Sequence, residues 1–121
     1  MKILVIDDEK MIRDLAEKIL KRAGYEVLLA ENGTVGIDLF SKYKDDIHLI
    51  ILDIYMEGLS GIDTLRQLKE ISSDIPCIIS SGNPNDLENI PAELNKNLRF
   101  LGKPYRAHQL TDIVKDILVS V

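Results

Sequence analysis

The feature that most constrains the fold is a continuous apolar run, residues 49–53 (LIILD), that ends on an acid. A segment that is apolar at every position is typical of a strand buried on both faces, as in a parallel sheet. Ligands of open α/β sheets bind just outside the carboxyl ends of the strands. Asp53 at that end is therefore a candidate functional residue, although an aspartate there often forms only a turn.

Four more segments are candidate strands, so the chain alternates between strands and helices. The predicted strands are residues 3–6, 25–30, 48–53, 77–80 and 98–101. Apolar residues at helical spacing follow four of them, at residues 12–20, 37–40, 62–71 and 110–118. Such alternation predicts an α/β fold with a parallel sheet and helices on both faces.

Local signals refine the helices and loops. Asn32 or Thr34 is expected to cap the second helix. Gly58 and Gly61 are expected to loosen the loop after Asp53. Residues 86–97 have helical spacing interrupted by Pro91, which predicts a short or broken helix.

Composition narrows the class of protein. A length of 121 residues predicts one domain, and the formal net charge of −5 argues against direct binding to nucleic acid. No apolar stretch is long enough to cross a membrane, and the first residues have no signal-peptide pattern, so we expect no membrane partner and a cytoplasmic location. Cys77, the single cysteine, is expected to be a small buried hydrophobe. His48 and His108 are expected at the surface.

Polar residues stand at the ends of four predicted strands. They are Asp7 and Asp8 after the first strand, Asp53 after the third, Ser81 after the fourth and Lys103 after the fifth. In a parallel sheet these ends share one edge, which places three carboxylates around one crevice. At ~4 Å and an effective dielectric of ~20 each pair of carboxylates repels by roughly 4 kcal/mol. Such a cluster favours a hard cation such as Mg²⁺, and a carboxylate beside Mg²⁺ and a lysine can accept a phosphoryl group.

Each residue also has a purely structural interpretation. Asp7 and Asp8 can cap a helix, Ser81 can belong to a turn, and the Lys103 turn can be solvated. Phe100 is expected in the core. The combination is more specific than its members, because all four strand ends that should line this edge carry the required chemistry.

The whole chain resembles the CheY-like receiver domain of bacterial two-component response regulators. The resemblance is carried by residues 6–9 (IDDE), by residues 53–56 (DIYM) with Gly61, by residues 78–82 (IISSG) and by Lys103 with Pro104. It implies a single receiver domain, residues 1–121, with a flavodoxin-like, doubly wound sheet of five parallel strands in the order 2-1-3-4-5 and about five helices.

The resemblance also implies a role for each matching residue. Asp53 is the phosphate acceptor and a metal ligand, and Lys103 holds the phosphate. Asp8 binds Mg²⁺ (or Mn²⁺) directly, Asp7 binds it through water or supports the site, and the main-chain carbonyl of Tyr55 is the third protein ligand. Ser81 is the switch hydroxyl, chosen over Ser80 because its spacing from Pro76 and Lys103 fits the family better. The remaining roles fall to Phe100 as the switch aromatic residue, and to Tyr55 and Asn83 as residues that tune dephosphorylation.

By the same resemblance, the protein is a signalling switch rather than an enzyme. Its phosphodonor is a sensor histidine kinase, a phosphotransfer protein or a small molecule. A downstream effector or a second receiver reads the face formed by the fourth helix, fifth strand and fifth helix.

At three loop positions the sequence departs from the pattern of the receiver family. Glu57 replaces a usual proline, Leu59 replaces a common methionine and Gly82 replaces a usual alanine. They bear on loop geometry and leave the reactive groups in place.

Three other interpretations remain. A receiver-like interaction domain that never uses phosphate would not need the acid, hydroxyl and lysine set. A Mg²⁺-dependent aspartyl-phosphate phosphohydrolase would want a second acid two residues after Asp53, where Tyr55 stands. A flavodoxin-like nucleotide binder would want a phosphate-binding loop after the first strand, where Asp7 and Asp8 would repel phosphate.

Overall fold

A computed structural model describes residues 1–56 and 58–119 of the chain. The strands are β1 (Lys2–Ile6), β2 (Glu26–Ala30), β3 (Ile47–Asp53), β4 (Cys77–Ser81) and β5 (Leu98–Gly102). The α-helices are α1 (Lys10–Arg22), α2 (Gly33–Tyr43), α3 (Gly61–Ile71) and α4 (Ala107–Val119). Two short 3₁₀ segments, Pro84–Asn89 and Ala92–Leu94, lie between β4 and β5.

The five strands form one parallel sheet in the order β2-β1-β3-β4-β5, as expected. The register pairs Ile6 with Leu52 and Asp53 with Ser80, so β1, β3 and β4 end at nearly the same level. This common level brings the polar residues at the strand ends to one edge of the sheet.

Apolar side chains on the two faces of the sheet form two cores. One core packs β-strand residues against α2, α3 and the 3₁₀ segments, and includes Ile6, Phe40, Leu52, Leu65, Leu68 and Leu94. The other packs the sheet against α1 and α4, and includes Val5, Leu20, Ile51, Ile78, Leu110 and Val114. The central strands β1, β3 and β4 are therefore buried on both faces, which explains why they are apolar runs without alternation.

Pro91 explains why the fourth helical region is not a regular α-helix. It lies between the two 3₁₀ segments, and its ring and missing N–H prevent a continuous α-helix there. The broken helix that the sequence predicted for residues 86–97 is thus present as two 3₁₀ segments, the first of which begins earlier, at Pro84.

The ends of several elements follow from caps and close contacts. Asn32, rather than Thr34, caps α2, because its Oδ1 accepts the Val35 N–H at 2.9 Å. Gly61 does not loosen the loop after β3: a Cβ there would overlap the main chain of Ile54, so glycine permits a close approach. Gly58 has φ +80° and supplies the turn. The expectation for Glu57 lies outside the described residues.

Several expectations about single residues are also resolved. Cys77 is fully buried and burial raises its pKa to about 12, which makes it an inert thiol. His48 and His108 are exposed. Phe100 is half-buried and belongs to neither core among the described residues, so its expected core position is wrong. In the described part of the chain, no helix is both long and apolar enough to cross a membrane.

Candidate functional site

Asp53, the last residue of β3, is the centre of the site. Its side chain is almost fully buried, and its Oδ1 accepts the Tyr55 N–H at 3.0 Å. Burial raises the pKa of Asp53 to about 6, against the opposing effects of the Tyr55 N–H and of the Lys103 charge; the charge of Asp7 raises it further. Additional positive charge near this buried carboxylate would therefore stabilise its ionised form.

Lys103 links three strand ends. Its Nζ donates to Asp7 Oδ2 at 2.8 Å and lies 3.3 Å from Asp53 Oδ2. Burial lowers the pKa of Lys103, but the hydrogen bond and charge of Asp7, together with Asp53, outweigh burial and raise it above the usual value. The lysine is therefore a fixed positive charge beside Asp53, and the solvated turn considered from the sequence is excluded.

Asp7 and Asp8 differ in their surroundings. Asp7 is buried, and its two carboxylate oxygens accept hydrogen bonds from the Glu9 N–H at 2.9 Å and from Lys103. Asp8 is exposed, and its carboxylate makes no hydrogen bond or ion pair within the described residues. Asp8 is thus the acid with oxygens available for another ligand.

The three acids form one cluster. One oxygen from each of Asp7, Asp8 and Asp53 lies within 4.8 Å of the other two. Oxygen-only donors with one exposed member match the preference of Mg²⁺ for carboxylates and retained waters. This acidic triad is typical of the Mg²⁺-binding site of receiver domains.

Ser81 ends β4 and is fully engaged in hydrogen bonds. Its hydroxyl donates to Asp86 Oδ2 and accepts the Asn83 N–H at 3.2 Å. The hydroxyl of Tyr55 donates to the other oxygen of Asp86, at 2.6 Å. Asp86 is only 4% exposed, whereas Tyr55 is 65% exposed. One buried carboxylate therefore holds both hydroxyls.

The neighbouring Ser80, in contrast to Ser81, makes no hydrogen bond through its hydroxyl among the described residues. It pairs in register with Asp53, and its hydroxyl is the one buried side-chain polar atom without a hydrogen-bond partner among the described residues. The structure brings Asp53, Lys103, Asp7 and Asp8 together. Ser81 is connected to them only indirectly, because Asp86 accepts the hydroxyls of both Ser81 and Tyr55, and the Tyr55 N–H donates to Asp53. Phe100 lies on β5, paired in register with Ile79, and has no contact to the acid cluster among those the structure records.

Asp86 is the site residue that the sequence did not reveal. It stands in a segment (GNPND, residues 82–86) typical of a loop, and a carboxylate there normally faces solvent. The first 3₁₀ segment turns it inward instead. Tyr105 was missed too: it is buried near Asp7, and burial followed by the Asp7 charge raises its pKa to about 12.

Comparisons with known proteins identify the family of this chain. The model of the response regulator receiver domain family matches residues 3–115. The chain belongs to this family.

Individual relatives show how far the likeness extends. The chain is 36% identical over 109 residues to the uncharacterized transcriptional regulatory protein YrkP of Bacillus subtilis, covering 90% of this chain and 46% of that one. It is 32% identical over 118 residues to sporulation initiation phosphotransferase F of the same organism, covering 97% of this chain and 93% of that one. It thus spans about half of the former and nearly all of the latter. A solved receiver domain from Clostridium thermocellum superposes with a TM-score of 0.88 at 34% identity, covering 98% of this chain and 94% of that one.

Proposed function

We propose that this receiver domain accepts a phosphoryl group on Asp53 and thereby controls a partner protein. The observation that carries the proposal is the placement of one buried carboxylate, Asp53, within contact of Lys103 Nζ and beside the acids Asp7 and Asp8. Lys103 offers positive charge where the transferred phosphoryl group would lie, and the acids offer ligands for a cation.

The reaction is an in-line phosphoryl transfer. An oxygen of Asp53 forms a bond to phosphorus while the bond from phosphorus to the imidazole nitrogen of a phospho-histidine, or to the acyl oxygen of a small donor, breaks. The electron pair of the broken bond leaves with the donor. Asp53 must be ionised to attack, and the Lys103 charge and the Tyr55 N–H both favour its ionised form.

Mg²⁺, with Mn²⁺ as the alternative, would supply charge neutralisation at the transferring group. Asp8 and Asp53 would bind it directly, Asp7 would act through water because its oxygens are already hydrogen-bonded, and the Tyr55 carbonyl would complete the protein ligands. We infer this ligand set from the donor chemistry and from family membership.

Switching would pass through Ser81 and Phe100. The Ser81 hydroxyl would turn to the phosphoryl group, and Phe100 on β5 would change its packing. By resemblance to the family, Tyr55 and Asn83 would set the lifetime of the acyl phosphate by controlling the approach of water. A cavity lined in part by Asp8, Tyr55 and Asp86 lies beside the acid cluster and offers such an approach.

The partners follow from this function. A sensor histidine kinase or a phosphotransfer protein would supply the phosphoryl group. We propose a cytoplasmic location, because the kinase reaction needs ATP. The name of the relative sporulation initiation phosphotransferase F supports phosphoryl transfer by a chain of similar extent. We propose that an effector or a second receiver binds the face formed by the 3₁₀ segments, β5 and α4.

Intact-mass spectrometry tests the proposal. Wild-type protein incubated with acetyl phosphate and Mg²⁺ should gain the mass of one phosphoryl group, and a chelator should prevent the gain. Asp53→Asn should stay unmodified, whereas Asp45→Asn, at an exposed acid in the turn before β3 and thus at the other end of that strand, should behave as wild type. Absence of the gain in wild type would favour an interaction domain that does not use phosphate.

A further inference from the structure

The first 3₁₀ segment carries a buried acid with two hydroxyl donors, one at the end of β4 and one in the loop after β3. Asp86 Oδ2 accepts the Ser81 hydroxyl, and Asp86 Oδ1 accepts the Tyr55 hydroxyl at 2.6 Å. Ser81 ends β4, and Tyr55 lies two residues after Asp53. The carboxylate therefore connects the 3₁₀ segment to the end of β4 and to the loop after β3.

The hydroxyl of Ser81 has a single proton to donate. In this structure that proton goes to Asp86, and the Ser81 oxygen accepts the Asn83 N–H. A phosphoryl group on Asp53 would be a second anionic acceptor for the same proton. Donation to one acceptor excludes simultaneous full donation to the other, so the two anions compete for Ser81.

We propose that Asp86 is a positioning residue that withholds the Ser81 hydroxyl from the phosphorylation site until a phosphoryl group displaces it. The inference rests on the proposed phosphorylation of Asp53. Switching then exchanges one charge-assisted hydrogen bond for another. The strength of the bond from Ser81 to Asp86 sets how readily the exchange occurs.

The hydrogen bond from Ser81 to Asp86 also couples phosphorylation to the position of the 3₁₀ segment. When Ser81 leaves, the buried Asp86 carboxylate retains one donor, Tyr55, and a buried anion that loses a donor is destabilised. The 3₁₀ segment that carries Asp86 must then shift or take up another donor. Leu87, the next residue, is 39% exposed, so a small rotation of the segment alters an apolar surface available to a partner.

The binding of beryllofluoride, which mimics a phosphoryl group, tests this role. With Mg²⁺ present, Asp86→Asn should bind beryllofluoride about tenfold more tightly than wild type, because an amide oxygen accepts the Ser81 hydroxyl without charge assistance and the bond to be broken is weaker by about 1.4 kcal/mol. Glu88→Gln removes the same charge from an exposed position of the same segment and should bind as wild type. A loss of structural integrity alone would weaken binding, not strengthen it.

A double-mutant cycle distinguishes the effect of the Ser81–Asp86 hydrogen bond on beryllofluoride affinity from the effect of the Asp86 charge. In a Ser81→Ala background no hydroxyl remains to compete for, so Asp86→Asn should change the affinity by less than about twofold. An equal gain with and without Ser81 would show that Asp86 acts only by repelling an anion, and would overturn the proposal. Unchanged affinity in Asp86→Asn would overturn it as well.

A measurement on wild type covers the case in which Asp86→Asn fails to fold. The ¹³C shift of the Asp86 carboxyl carbon should change on addition of beryllofluoride and Mg²⁺, because Ser81 leaves it. An unchanged shift under saturating beryllofluoride would overturn the proposal. If beryllofluoride does not bind wild type at all, it is the proposed phosphorylation that fails.

Discussion

The ammonium of Lys103 lies 3.3 Å from a carboxylate oxygen of Asp53, which joins the end of β5 to the end of β3. The lysine side chain is 15% exposed, and the same ammonium donates to Asp7. Lys103 therefore compensates the negative charges of two buried acids.

Replacement of Lys103 by alanine should lower stability and abolish the response to phosphorylation. Removal of one partner from a buried ion pair typically lowers the free energy of unfolding by about 3 kcal/mol. Because the folded-state pKa of Lys103 is raised, this stabilisation is fully present below the unfolded-state value of 10.5 and disappears as the pH rises through the folded-state pKa. Denaturant unfolding at neutral pH measures the loss.

The exposed Lys115 provides the control. Lys115→Ala should leave both stability and beryllofluoride-induced amide shifts unchanged. Lys103→Ala should still bind Mg²⁺ but show no such shifts; a wild-type response in this variant would reduce Lys103 to a structural lysine.

Asp53→Asn should stabilise the metal-free protein in a pH-dependent manner. The pKa of Asp53 is about 6 in the folded protein against 3.8 for the unfolded chain. A raised carboxyl pKa means that the ionised form disfavours folding, so the residue lowers stability above pH 6 and has no such effect below the unfolded-state pKa. A shift of about two units corresponds to roughly 3 kcal/mol.

Thermal or denaturant unfolding in a chelator checks this. The stability of Asp53→Asn should exceed that of wild type at pH 8, and the two should converge near pH 4. A difference that is the same at both pH values would show that the ionisation of Asp53 is not the cause.

Mg²⁺ should raise the melting temperature of wild type through Asp8. Binding to the native state alone adds about 2.7 kcal/mol at a ligand concentration of about 100 times Kd. Asp8 has the available oxygens of the acid cluster, so Asp8→Ala should respond much less, whereas Asp45→Ala at an exposed loop should respond as wild type. Equal shifts in all three proteins would count against Asp8 as a ligand.

The two adjacent serines should differ in their effects. Ser81→Ala should remove beryllofluoride-induced amide shifts between about residues 81 and 107 outside the acid pocket, because Ser81 is bonded to the 3₁₀ segment. Ser80→Ala should keep them and gain up to about 1 kcal/mol of stability, because it deletes a buried hydroxyl that lacks a partner. Loss of the shifts in Ser80→Ala instead would assign the switch to Ser80.

The sequence predicted the parallel sheet and the shared edge of the acids and the lysine for a physical reason, whereas the strand order came from the family resemblance. Apolar runs without alternation require burial on both faces, and parallel strands bring their carboxyl ends together, so Asp53, Asp7 and Lys103 had to meet at one edge.

The surroundings of Ser81 could not be predicted in the same way. Asp86 reaches Ser81 because a 3₁₀ segment starts at Pro84 and turns the acid inward, a geometry that loop composition does not specify. Phe100 was misplaced for a related reason: β5 is an edge strand with two exposed residues, so its apolar side chains are not buried on both faces.

Chemical trapping of the acyl phosphate tests the phosphorylation of Asp53 most directly. Wild-type protein is phosphorylated with acetyl phosphate and Mg²⁺ and then reduced with borohydride, which converts an aspartyl phosphate to homoserine. Peptide mass spectrometry should find homoserine at position 53 and at no other aspartate, with none in protein treated in the presence of a chelator. Homoserine at position 7 or 8, or a stable phosphate on Ser81, would contradict the assignment of Asp53 as the acceptor.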